Sequence, residues 1–467
     1  MTRALSERTS DELSLRDVAS PSLPGLGVVL AAGRSERLSK VTRGRSKALV
    51  RLGGLTLVER AVRTLLDSGV GRVLVVVGHE SEAMAGAVSR LLPEQVEVAR
   101  AERWEEGNGE SLAAAEPFLA GAERFVLLCV DHVFAPGALD GLLDSDEPAV
   151  LVDDAPRREV WEEGTRVRIA EGQALEFGKH LPEPGVDCGA FVLGPEIFAC
   201  QRAAAGAGDH TLSGAVSRLG HLRPLRAEPL PAGGWWQDVD TPGDLRAARR
   251  LLRRSLTKNT DGPVSRYLNR PISTRISMAL SPLRLPPDAI SYSVFLLGIV
   301  AASSLAAGKA VLGGLLVHAA SLLDGVDGET ARLRLRAGAR GAWLDGVLDR
   351  MVDAAIVAGL GLWALTKPFG GRSVLLLLGV ALAWAAMAMS AKGKSDPYSL
   401  PAQTEHTLGF LLGGRDGRLL LVAVGSILGR PMLAVMAMSA TWVFSVILRM
   451  IVVWRTSRGE TALWAES

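Results

Sequence analysis

The chain has 467 residues, 48% of them hydrophobic and 22% charged, with a net charge of +2. Its length predicts two or three domains, and its near-neutral charge argues against a dedicated nucleic-acid binder. Three cysteines, Cys129, Cys188 and Cys200, form no CxxC pair, which speaks against a disulfide framework or a thiolate zinc site and suits a reducing cytosolic compartment.

Residues 1–25 are polar, carry no apolar stretch of the signal-peptide kind, and read as a disordered leader. A soluble domain is expected over 26–252. Its first part alternates buried strands (27–33, 72–78, 124–131) with an amphipathic helix that starts at Thr56 and is closed by Gly69. That order predicts a Rossmann-like α/β domain with a mostly parallel sheet. The helix near 244–255 closes it, and 253–262 reads as a linker.

A helical membrane domain is expected over 263–457. The basic, partly amphipathic segment 265–287 suggests an element lying on the bilayer surface. Apolar runs follow near 289–308, 310–326, 342–365, 373–391, 417–433 and 435–454, each approaching the roughly 20 residues a span needs. Arg332, Arg334, Arg336, Arg340, Lys392, Lys394, Arg415, Arg418, Arg455 and Arg458 fall on one side of these six spans. Only Lys309, Lys367, Arg372 and Arg430 fall on the other. This bias places both termini in the cytosol.

Asp324 and Asp327 are spaced i,i+3, and Asp345 and Asp349 are spaced i,i+4, so on helices each pair shares a face. Both pairs lie at the cytosolic ends of adjacent expected spans. Four pooled carboxylates repel one another unless cations occupy them, and hard oxygen ligands suit Mg²⁺ or Mn²⁺. Ionisable groups at membrane depth are costly and usually functional.

These residues match the pattern D-x2-D-G-x2-A-R-x8-G-x3-D-x3-D, and the segment from about Asp261 to Arg455 resembles the CDP-alcohol phosphotransferase family. The resemblance implies six transmembrane helices and displacement of CMP from a CDP-alcohol by an entering alcohol. It further implies that Asp324, Asp327 and Asp345 hold two metal ions and that Asp349 is the base, with a ligand role also open to it. Gly328 and Ala331 would admit the nucleotide, and Arg332 would pair with phosphate. The family often has P-N-x-I-T before its first span, where this chain has Pro287-Asp288-Ala289-Ile290-Ser291. Arg275, Arg350, Arg415 and Arg418 are candidates for a phosphorylated acceptor.

In the soluble half, the strand through Val29 ends in the small-residue turn Ala31-Ala32-Gly33, whose backbone N–H groups can face phosphates. Arg37 and Lys47 bring positive charge for a leaving pyrophosphate. Asp131 ends a core strand, where α/β sheets place ligand groups, and Asp238 and Asp240 offer further carboxylates for a metal bridging nucleotide phosphates.

Residues 26–252 resemble the sugar-nucleotidyltransferase family, whose pattern is L-A-A-G-x-G-x-R, then P-K, then a metal aspartate. Ser35 and Ser46 replace the second glycine and the proline. By that likeness, Gly107, Asn108, Gly109 and Ser111 form the base- and ribose-contacting turn. Lys179, Asp187 and Gly189 would hold the phosphorylated acceptor, while a surface lysine remains an equal reading for Lys179. His132 reads as structural rather than as a ligand.

With the stretches Asn108-Gly109-Glu110-Ser111-Leu112 and Val130-Asp131-His132 and the segment from Asp261 to Ser273, the whole fusion resembles the bifunctional inositol-1-phosphate cytidylyltransferase and di-myo-inositol phosphate phosphate synthase family. That likeness implies CTP and inositol 1-phosphate as first substrates, CDP-inositol as intermediate and a second inositol 1-phosphate as acceptor. It implies Mg²⁺ or Mn²⁺ as cofactor, a multi-pass inner-membrane location and cytoplasmic active sites. A homodimer is compatible with it, and the sequence leaves the oligomeric state open. Two competitors stand beside it: a fused cytidylyltransferase and membrane phospholipid-headgroup phosphotransferase with a lipid substrate, and a nucleotide-sensing domain tethered to a transporter-like domain.

Overall fold

The computed structural model describes residues 24–34, 37–38, 42, 44–90, 94–258, 261–366, 379 and 414–457. The chain divides into two compact units, 1–251 and 252–467.

Chain order in the first unit begins with β1 (Leu26–Ala31), the short strands β2 (Arg51–Leu52) and β3 (Leu55–Thr56), and helix α1 (Leu57–Asp67). There follow β4 (Arg72–Val77), α2 (Ser81–Val88), β5 (Val96–Arg100), α3 (Asn108–Ala113), β6 (Phe125–Cys129) and β7 (His132–Phe134). Next come α4 (Asp140–Leu143), β8 (Ala149–Asp153), α5 (Arg158–Glu163), β9 (Arg166–Ala170), β10 (Gln173–Gly178) and β11 (Val186–Leu193). The unit closes with α6 (Glu196–Gly206), α7 (Leu212–Leu222), β12 (Leu225–Pro229), β13 (Trp236–Asp238) and α8 (Pro242–Arg254).

The strands expected at 27–33, 72–78 and 124–131 are β1, β4 and β6, and they pair in parallel. Helix α1 starts where expected, with the Thr56 hydroxyl accepting from the Glu59 N–H at its first turn. The nine-stranded sheet runs β5-β4-β1-β6-β11-β8-β12-β10-β9. It is mixed, which corrects the expectation of a mostly parallel sheet: only β5, β4, β1 and β6 form a continuous parallel half. Strand β11 runs antiparallel to both β6 and β8. The two-residue connection between β9 and β10 has positive φ at Glu171 and Gly172, 51° and 76°, and so folds as a hairpin. The core on one face joins Val28, Leu30, Val76, Phe125 and Leu127 to Leu112, Phe198 and Val216 of the covering helices.

The second unit is helical among the described residues. A π-helical turn over Ser265–Asn269 leads into α9 (Arg270–Leu280). Then come α10 (Pro287–Ala306), α11 (Ala310–Leu333), α12 (Ala339–Leu365), α13 (Gly414–Ile427) and α14 (Pro431–Ser457). Helices α10 and α11 are long and apolar enough to cross a membrane. The expected fourth span, 373–391, lies outside the described residues except for residue 379. The second span was expected to end at 326, yet α11 runs without a break to Leu333 and carries the aspartate motif on its last turns.

Helix α9 occupies the segment expected on the bilayer surface. Its buried face is polar, with Ser273, Thr274 and Ser277 turned inward, while Ile272, and Tyr267 and Leu268 of the turn before it, are exposed. The apolar core of this unit joins Ala301, Leu305, Val317, Val352, Ile356, Leu360, Leu419 and Met438.

Candidate active sites

In the α/β unit, Lys47 opens a short 3₁₀ turn, Lys47–Leu49. The N–H of Ser46 donates to Glu80 at 2.8 Å. A proline at position 46 has no N–H for that bond, so serine suits this version of the loop. The Lys47 ammonium donates to Asp131 and, at 2.5 Å, to Asp240. Arg37 pairs with Asp240 and, at 3.2 Å, with Glu163.

Strand β13 lies antiparallel to β7, with Asp238 opposite His132. That pairing brings two distant stretches of sequence together, and oxygens of Asp131, Asp238 and Asp240 lie within 4.8 Å of one another. The residues expected to serve the pyrophosphate and the metal therefore form one cluster just beyond the carboxyl end of β6.

Burial alone would lower the Lys47 amine, but the charges of Asp131 and Asp240 outweigh it and hold the group above its ordinary value. Burial likewise opposes ionisation of Asp131, and the Lys47 charge overcomes it, leaving that carboxyl below its ordinary value. Burial pushes Asp238 up to about 7, with the charges of Asp131 and Asp240 adding to the shift. The Asp238 Oδ1 is buried and has no hydrogen-bond partner. A cluster of hard oxygens with an orphaned buried acceptor fits a divalent cation such as Mg²⁺.

Ala31 and Ala32 are buried at the end of β1, and Gly33 is exposed beyond them. A Cβ on Gly107 or Gly109 would strike the His210 carbonyl oxygen, at 2.3 and 2.6 Å, so this turn needs both glycines. The Asn108 Oδ1 accepts from the Leu212 N–H at 2.7 Å, and Ser111 is buried within α3. Asn108, His132, Asp187, Thr165 and Phe177 line a cavity of about 90 Å³. Lys179 is exposed at the end of β10 and is not among the residues lining it.

Gly189 has φ of +69°, and its N–H donates to the Asp187 carboxylate at 2.7 Å. A Cβ there would fall 1.8 Å from His132 Nδ1. Gly189→Ala is expected to lower pyrophosphate release about 10²-fold by displacing the ring next to Asp131. Gly206→Ala, where a Cβ meets open space, should leave the rate unchanged.

In the helical unit, oxygens of Asp324, Asp345 and Asp349 lie within 4.8 Å of one another. Asp327 lines the same cavity, together with Ser291, Leu348 and Arg415. Its carboxylate is drawn aside, accepting from the Ser291 hydroxyl and from the Gly328 N–H. The motif was expected to give Asp324, Asp327 and Asp345 as metal ligands and Asp349 as base, with a ligand role also open to Asp349. The structure brings Asp349 together with Asp324 and Asp345, with Asp327 in the same cavity.

Arg415, from the start of α13, pairs with Asp324 and Asp349 at 2.9 Å each and with Asp353 at 3.0 Å. The sequence reading passed over Asp353, although it continues the four-residue spacing of Asp345 and Asp349. Arg332 donates to the Leu256 carbonyl at 3.1 Å. Ala331 is half-buried beside it, and a Cβ on Gly328 would lie 3.3 Å from the Arg332 guanidinium. Carboxylates converging on one arginine form an all-oxygen donor set that suits Mg²⁺ or Mn²⁺.

Residues 27–210 match the MobA-like NTP transferase domain. The chain is 40% identical over 423 residues to the bifunctional IPC transferase and DIPP synthase of Rubrobacter xylanophilus, covering 89% of this chain and 94% of that one. It is 31% identical over 442 residues to the protein of the same name from Aquifex aeolicus, covering 92% and 98%. A match of 30% identity over 199 residues to the archaetidylinositol phosphate synthase of Methanothermobacter thermautotrophicus covers 41% of this chain and 92% of that one.

Proposed function

The chain belongs to the family of bifunctional IPC transferases and DIPP synthases, and from that premise we propose that it makes CDP-inositol and then consumes it. The observation that carries the reading is that one chain holds two separate carboxylate clusters, each with its own built-in cation: Lys47 in the α/β unit and Arg415 in the helical unit.

In the first step, a phosphate oxygen of inositol 1-phosphate attacks the α-phosphorus of CTP, and the bond to pyrophosphate breaks. Lys47 and Arg37 supply positive charge to the departing pyrophosphate. The turn at Ala31-Ala32-Gly33 offers backbone N–H groups to the nucleotide, and Asp187 and Asn108 lie at the acceptor cavity.

In the second step, a hydroxyl of another inositol 1-phosphate attacks the inositol-bearing phosphorus of CDP-inositol. CMP leaves with the electrons of the broken bond. Asp349 takes the hydroxyl proton, and Arg332, which donates to the Leu256 carbonyl, would pair with a nucleotide phosphate through its remaining N–H groups. Divalent cations held by Asp131, Asp238 and Asp240, and by Asp324, Asp345 and Asp349 with Asp327 alongside, would neutralise phosphate charge at the two sites. We place the helical unit in the membrane as six spans, with both sites on the cytoplasmic side. The apolar helices α10 and α11 and the charge bias of the loops support that placement.

A second reading, a lipid substrate for the transfer, is favoured by one observation. A cavity of about 310 Å³, lined by Leu280, Leu285, Ile290, Leu297 and Leu323, adjoins the acidic site through Val294. Purified protein given CTP, inositol 1-phosphate and Mg²⁺ without lipid separates the two readings. The expected product is a phosphorylated di-inositol phosphodiester, identified by mass and phosphorus NMR. Accumulation of CDP-inositol, discharged only when lipid is added, would favour the lipid acceptor.

A further inference from the structure

The first residues of the helical unit are tied to its helices by buried charge. The Arg270 guanidinium donates through Nε and Nη2 to both oxygens of Asp261, at 2.9 Å each, and through Nη1 to Glu329 at 2.6 Å. Glu329 is fully buried and also accepts from the hydroxyls of Ser273 and Ser277, at 2.7 and 2.6 Å. Asp261 receives the Lys258 N–H at 2.8 Å, and the Leu256 carbonyl receives Arg332.

Gly325, between the aspartates of the motif, leaves room for this grip. A Cβ there would lie 2.2 Å from Arg270 Nη1. Glu329 stands two residues beyond Asp327, about 200° around the helix from it, so α11 is held on the side away from its acidic face. A buried ion pair adds little net stability over apolar packing. What it does fix is helix rotation, and with it where Asp324 and Asp327 point.

We propose that Asp261, Arg270 and Glu329 are positioning residues of the transfer site, setting the rotation of α11 so that its aspartates meet those of α12. The residues 256–258 and 261–270 are then a working part of the second site rather than a spacer. This rests on the metal-dependent transfer reading above.

The test uses the full chain with Asp131 and Asp240 changed to asparagine, titrates Mn²⁺ by electron paramagnetic resonance, and takes as the transfer-site signal the bound Mn²⁺ that Asp324→Asn abolishes. Glu329→Gln and Arg270→Lys should each weaken Mn²⁺ binding by about 10–100-fold, as changes behind metal ligands do. Lysine does not rescue, because it cannot span two carboxylates as the guanidinium fork does. Circular dichroism confirms that each variant is folded, and Ser277→Ala, which removes a single bond to Glu329, gives a milder variant with a smaller shift in the same direction. Unchanged Mn²⁺ affinity in the folded variants would reduce the network to scaffolding and overturn the proposal. No Mn²⁺ binding in the parent would overturn the metal reading itself, and the proposal with it.

Discussion

Changing Lys47 to alanine is expected to lower pyrophosphate release from CTP and inositol 1-phosphate by about 10² or more. The side chain sits between Asp131 and Asp240 and is held protonated by them. Its loss removes charge stabilisation from the leaving pyrophosphate and leaves three acids crowded together. The same full-length variant should still transfer from supplied CDP-inositol, since Lys47 belongs to the other compact unit. Loss of both activities would mean that the two sites do not work as separate enzymes.

The second large effect lies in the acidic cluster of the helical unit. Asp324→Asn and Asp345→Asn should each cripple transfer, because a neutral amide cannot balance cation charge, and excess Mg²⁺ or Mn²⁺ should restore part of the rate. Asp349→Asn should cost about 10²–10⁴ in kcat, the usual contribution of a general base. Binding of CDP-inositol, followed by calorimetry with metal present, should stay near that of the parent. The grouping of Asp349 with Asp324 and Asp345 makes this a demanding test. Loss of nucleotide binding comparable to that in Asp324→Asn would make Asp349 chiefly a ligand.

What the sequence made legible was local. Strands β1, β4 and β6 are short apolar runs, α1 carries its own cap at Thr56, and the spacing of the motif aspartates places each pair on one helical face. The far half of the sheet was less legible. Strand β9 is largely exposed and β10 is only partly buried, and their hairpin depends on a positive φ at Glu171, which residue type does not announce.

The meeting of Asp131 with Asp238 depends on β7 pairing with β13, a contact between stretches about a hundred residues apart that leaves no local pattern. Arg415 was read as a candidate for the phosphorylated acceptor, not as the counter-charge of Asp324, Asp349 and Asp353. Helix α9 was legible as amphipathic. That its polar face is the buried one follows from Glu329, whose carboxylate needs donors inside the unit.

The central claim is that one chain performs two consecutive steps at two sites, and mixing two single-site variants tests it most directly. Full-length Lys47→Ala and full-length Asp324→Asn are each given CTP, inositol 1-phosphate and Mg²⁺, separately and then together, and CMP and the di-inositol product are followed over time. Each variant alone should give almost no final product, with CDP-inositol accumulating only for Asp324→Asn. The mixture should form CMP and the phosphorylated di-inositol product after a lag while CDP-inositol builds up. A mixture that accumulates CDP-inositol without releasing CMP would contradict the account.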